Sequence, residues 1–156
     1  MAGGEGECKM CMRKLLTYGI ISVLTLFYVS CDSNKGKDTK VARNCIDRVL
    51  LADSQLGKKR NHECEQISLT QTIDNYVKGL REVDFGNCPL EFERAFEKHI
   101  AAWVEMTKVT DRYSGLRGEM HDLFDQIKQT KDSVQFDKSL KEIWRSWEVI
   151  EKSKNR

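Results

Sequence analysis

The chain has 156 residues, a mass of 18.1 kDa and a formal charge of +2 from 26 basic and 24 acidic side chains. That near balance excludes the strong basic excess of a dedicated nucleic-acid binder, and the length holds one domain plus a short targeting segment. Charged residues at 32%, hydrophobic residues at 40% and one proline suit a helical globular domain and argue against long disordered tracts.

The first eleven residues, MAGGEGECKMC, carry two acids and two cysteines ahead of an apolar stretch. A start at Met12 gives an ordinary basic leader, MRKLLTYGII, and would leave Cys8 and Cys11 outside the translated chain. Cys8-x-x-Cys11 as half a zinc site or a redox motif has neither a second half nearby nor a strand–helix setting. Residues 15–30, LLTYGIISVLTLFYVS, are sixteen positions without a charge, and Arg13 and Lys14 stand directly before them. A basic leader, an apolar run and a small residue before a cut site make a secretory signal peptide. The run is shorter than the roughly 20 residues that span a bilayer core, which argues against an uncleaved anchor.

The tetrad Tyr28-Val29-Ser30-Cys31 resembles the lipobox of bacterial lipoproteins. In that family the cysteine receives a diacylglycerol and the peptide is cut before it. The resemblance therefore implies cleavage after Ser30 and lipidation of Cys31, with a membrane-anchored protein outside the cytoplasm. Tyr28 stands where the pattern usually has Leu. The following DSNKGKDTK is polar and without large apolar residues, as a tether would be. The expected organisation is a signal peptide over 1–30, a lipidated cysteine and tether over 31–40, and a helical domain over 41–156. Loss of Glu5, Glu7, Lys9, Arg13 and Lys14 leaves that exported part within one charge of neutrality.

From Val41 onward the apolar residues recur at helical spacing. A first helix is predicted over about 40–56, with Val41, Cys45, Val49, Ala52 and Leu56 on one face and Gly57 as its stop. After the polar connector KKRNHECEQ, Ser68 and Gln71 form a capping-box pattern. The second helix then presents Ile73, Tyr76, Val77, Leu80 and Val83, and Asp84-Phe85-Gly86-Asn87 ends it. A third helix is predicted from Pro89, favoured at the first helical position, to about Tyr113. Glu91 and Glu93 complement its dipole, and Phe92, Ala95, Phe96, His99, Ile100 and Trp103 share a face. The fourth is expected over about 116–130, with Leu116, Met120, Leu123, Phe124 and Ile127. The last, over about 133–152, carries Phe136, Leu140, Ile143, Trp144, Trp147 and Ile150. Short connectors favour antiparallel neighbours, so the fold class is all-α, a small antiparallel bundle of four or five helices. The wording Cys88-Pro-x-x-Phe-x-x-Ala-Phe-x-x-His-Ile-x-Ala-Trp103, with a later tryptophan-containing helix, resembles a recurring domain of uncharacterised exported bacterial proteins. The resemblance spans about residues 68–150, implies an extracytoplasmic helical domain and supplies no reaction.

Three cysteines lie beyond Cys31. Cys64 and Cys88 flank the second helix, more than about 20 Å apart at 1.5 Å per residue, too far to bridge. In an antiparallel pair the start of the first helix lies beside the end of the second, so Cys45–Cys88 is the expected disulfide. Cys64 is then left over, as a spare loop thiol or an intermolecular contact. Its setting, His62-Glu63-Cys64-Glu65, has metal-ligand residue types but no partner cluster, so no metal site is assigned.

His99 is the one histidine on an apolar face, one turn before Trp103. It reads first as a partly buried histidine bonded to a neighbouring helix and second as a ligand-binding group in a pocket. His121, beside Asp122, reads as solvated. Trp103, Trp144 and Trp147 read as core, with at most one at the edge of a groove. No nucleophile elbow, phosphate loop or His-Glu-x-x-His occurs. The carboxylates Glu91, Glu93, Glu97, Glu119, Asp122 and Asp125 are spaced among Lys and Arg as on a solvated face. The expected function is a lipid-anchored envelope protein whose non-catalytic helical domain binds an envelope protein partner, without cofactor or nucleic acid. The alternative is a small-molecule or metal-binding sensor with a pocket near His99 and Trp103.

Overall fold

The structure, a computed structural model, describes residues 33–154. Ser30, Cys31, Cys8 and Cys11, with the predicted signal peptide, cleavage and lipidation, lie outside the described residues. Five α-helices are present: α1 (Ser33–Glu63), α2 (Leu69–Arg81), α3 (Leu90–Thr110), α4 (Met120–Lys128) and α5 (Ser133–Ser153). There are no strands among the described residues. From Val41 onward the described residues make up one compact unit.

The hydrophobic spacing of α3 explains its central place. Phe92, Ala95, Phe96, His99, Ala102, Trp103, Met106 and Val109 are buried, and their three- and four-residue intervals wrap a stripe wide enough to face two neighbours. The helix accordingly packs on α2 and on α5. The pairs are antiparallel. Tyr76 of α2 meets Trp103 of α3 edge to face, with ring centroids 5.4 Å apart, and Thr70 bonds Thr110 at the other end. His99 and Phe96 of α3 meet Ser146 and Trp147 of α5. The core also takes Leu69, Ile73 and Leu80 from α2, Leu123 and Ile127 from α4, and Phe136, Ile143 and Ile150 from α5.

Several boundaries differ from the sequence prediction, each for a local reason. Helix α1 runs from Ser33, through the residues read as tether, and continues past Gly57. A Cβ at Gly57 would meet nothing within 4 Å, so this glycine makes no turn. The buried stripe simply carries on through Val49, Asp53, Leu56 and Arg60 towards Cys64. Val41, placed on the apolar face, is 46% exposed.

The Ser68 cap is as expected, its hydroxyl accepting from the Gln71 N–H at 3.2 Å. Pro89 occupies the N-cap of α3 rather than its first turn, with extended backbone. The helix gives way at Asp111–Tyr113 to a 3₁₀ turn. Helix α4 starts four residues later than predicted because Gly118, at φ 146°, turns the chain and donates its N–H to the Cys64 carbonyl at 3.0 Å. The Glu119 carboxylate then caps α4 through the N–H groups of His121 and Asp122.

Cys45 and Cys88 form a disulfide with a Cα–Cα distance of 5.2 Å, which fastens α1 to the turn between α2 and α3. A bridge of this kind belongs to a domain outside the reducing cytoplasm. Among the described residues no helix is long and apolar enough to cross a membrane.

Candidate functional site

At the end of α1 furthest from the disulfide, the buried stripe becomes polar. Asp53 is 9% exposed and accepts a hydrogen bond from the Tyr76 hydroxyl. Burial raises the Asp53 carboxyl above its usual range, with the Tyr76 bond and the nearby Arg60 acting in the opposite sense. Tyr76 is held well above the ordinary phenol range, first by burial and then by the Asp53 carboxylate. One face of the pair is therefore a neutral phenol clamped onto a carboxylate.

Arg60 lies two turns along the same side of α1. Its guanidinium carbon is 4.5 Å from the Tyr76 ring centre and 4.2 Å from that of Trp103, so the cation sits in the notch of the edge-to-face pair. Burial draws its pKa down, and the surrounding Tyr76 and Asp53 support the charge. Nε and Nη2 donate to Asn61 Oδ1 at 3.3 and 3.2 Å. No Asp or Glu oxygen among the described residues comes within 4.0 Å of the guanidinium.

His99 completes the polar series. It is 4% exposed. The Trp103 indole N–H donates to His99 Nε2 at 3.0 Å, and indole can only donate. The proton of the neutral imidazole therefore resides on Nδ1, which lies 2.9 Å from Ser146 Oγ. Ser146 in turn donates to the Ile143 carbonyl at 2.8 Å. Burial, then the positive Arg60, push the His99 pKa down to about 4, so it is neutral at physiological pH. This serine accepts a hydrogen bond from histidine and donates its own to a carbonyl, the reverse of a histidine-activated nucleophile.

These groups line a cleft of about 290 Å³, at the low end of small-molecule sites. Asp53, Arg60, Tyr76 and His99 converge from α1, α2 and α3, while Phe124 of α4 and Ile143 and Trp147 of α5 close the apolar side. Trp144 is 62% exposed at the rim, not in the core, whereas Trp103 is buried. The chain's three tryptophans all line this cleft. His121 also borders it, largely in solvent, with Nδ1 2.9 Å from the Glu119 carboxylate.

Of the residues singled out in the sequence, His99 and Trp103 thus come together in one site. Cys64 does not join them, nor is it a loop thiol open to partners. It is fully buried, and its thiol donates to the Asn61 carbonyl at 3.0 Å. His62 and Glu65 face solvent and Glu63 pairs with Lys59 and Asn75, so the His-Glu-Cys-Glu run does not converge. No group of three metal-ligating side chains occurs among the described residues. Asp53 and Arg60 were not singled out in the sequence, where Arg60 falls in the stretch read as a polar connector. The intervals of four, three and four from Val49 to Arg60 were the available signal. Scans of protein-family models, curated proteins and solved structures return no match to this chain.

Proposed function

We propose that the chain is a lipid-anchored protein of a bacterial envelope, attached through Cys31 after cleavage at Ser30, with a non-catalytic helical binding domain. The observation that carries this is the Cys45–Cys88 disulfide in a domain that follows a basic leader, an apolar run and a lipobox-like tetrad. A bridge at those positions favours an exported fate, and the tetrad names the residue that would hold it at the membrane. The non-catalytic reading rests on His99, whose two ring nitrogens are engaged in a Trp103–His99–Ser146 chain that leaves no lone pair for proton transfer.

The cleft favours a small molecule over a protein partner as the ligand. It is concave, aromatic and contains a cation with no acid partner, whereas a protein-docking surface is broad. Intact mass spectrometry of the protein from native membranes tests the anchor. The expected product begins at an acylated Cys31. An unmodified chain, or a mature N-terminus elsewhere, would refute the processing.

A further inference from the structure

A guanidinium that lines a cleft with no carboxylate oxygen of the described residues within 4.0 Å is an incomplete ion pair. Burial costs a charge its hydration, and the usual remedy is an opposite charge with hydrogen bonds in place. Asp53 supports the charge only from beyond 4.0 Å. Its carboxylate is taken up by the Tyr76 hydroxyl and makes no ion pair with Arg60 within 4.0 Å. The aromatic notch holds the guanidinium plane, and Asn61 occupies Nε and one Nη2 hydrogen. The Nη1 side of the fork remains without an acid. Such an edge matches the two oxygens of a planar carboxylate, and the fixed plane means little side-chain entropy is lost on binding.

From this arrangement we propose that the cleft binds a small monocarboxylate with a flat apolar body, its carboxylate on Arg60 and its body against Trp103, Trp144, Trp147 and Phe124. The inference rests on the ligand-binding reading above. The charge count sets the preference for a monoanion. Arg60 is positive, Asp53 negative and His99 neutral, so these groups carry no net charge, and His121 borders the cleft paired with Glu119. A monocarboxylate adds one negative charge, which Arg60 meets directly, while a dianion such as a phosphate monoester would add two beside Asp53 in a partly desolvated site. Volume agrees, because about 290 Å³ has room for a ring and a short acid arm but not for a lipid with two chains.

The three tryptophans make the test direct, since any fluorescence change reports on the cleft. The full chain is titrated at pH 7.5 with 3-phenylpropionate and with its uncharged amide, 3-phenylpropionamide. The acid is expected to give saturable binding at least tenfold tighter than the amide. Arg60→Gln should weaken binding of the acid at least tenfold and so remove that advantage. Asp53→Asn keeps an acceptor for Tyr76 and removes a like charge, so it should tighten binding of the acid roughly threefold to tenfold. A gain of affinity cannot arise from misfolding. Equal binding of acid and amide, or an unaltered acid affinity in both variants, would overturn the Arg60 anchor and leave the cleft as a neutral binding site. Saturable binding of neither compound would overturn the anchor and the small-molecule reading together.

Discussion

The packed stretch of α1, from Cys45 to Arg60, is held at its two extremities by different physics. Near Cys45 the helix is fixed covalently through Cys88, beside Phe85, Phe92 and Phe96, whose rings meet at 5.1–5.5 Å. Near Arg60 it is fixed by a hydrogen bond from Tyr76 to Asp53 and by the stacking of a guanidinium on two rings. The first end is apolar and sealed. The second holds charge and opens into a cleft. A strong tether at one end permits a polar, partly open arrangement at the other, because the entropy of closing the chain is already met by the disulfide.

The contrast can be broken most severely at the sealed end. Phe96 is fully buried and its ring packs on those of Phe85, Phe92, His99 and Trp147. Phe96→Ala should destabilise the domain by about 3–5 kcal/mol, measured by urea unfolding, and a loss below about 1 kcal/mol would show that the end is not close-packed. Replacing Cys45 and Cys88 together by alanine opens a loop of 43 residues, worth about 4 kcal/mol in the loop-entropy model. Non-reducing peptide mapping should find the bridge in the native protein, and two free thiols would remove the comparison itself.

The polar end should instead respond to pH. His99 has a folded pKa of about 4, below the ordinary 6.5. A depressed histidine means that the unfolded chain binds the proton more readily, so this group's contribution is full above pH 6.5 and is lost as pH falls towards 4. The loss approaches about 3 kcal/mol. Asp53, raised above 3.8, acts in the opposite direction, since its contribution is lost as pH rises through its folded value. His99→Gln should flatten unfolding stability measured between pH 6.5 and 4, and an unchanged slope would show that another group controls it. The smallest effect is expected at the rim. Trp144→Ala removes a 62% exposed side chain and should change stability by less than about 0.5 kcal/mol, while reducing the fluorescence response to any ligand in the cleft.

The helices of the bundle were readable because each carries its own periodic stripe. The stripe of α3, with Phe92, Phe96, His99 and Trp103, gave both the element and its place, and the capping pattern at Ser68 and Gln71 marked the start of α2. The disulfide followed from helix lengths and antiparallel order. Boundaries were less legible. Gly57 looked like a stop but lies in open space inside α1, and the start of α4 depends on a hydrogen bond from Gly118 to Cys64 that no local pattern announces. Trp144 sits on the same periodic face as Trp147 in the sequence, yet is 62% exposed at the rim of the cleft.

Composition, periodicity and cysteine spacing were thus enough for the class of fold, the antiparallel order and the Cys45–Cys88 pairing, since each depends on distances along one or two helices. The cleft was beyond their reach. Asp53, Arg60, Tyr76, His99 and Ser146 come from four helices, and their meaning arises from which polar atom meets which across the interfaces. Arg60 reads as an ordinary solvated cation in the chain. Placed on Tyr76 and Trp103, with no carboxylate oxygen of the described residues within 4.0 Å, it becomes a half-buried charge with room for a partner, because burial changes the energy of a charge more than any neighbour in sequence can.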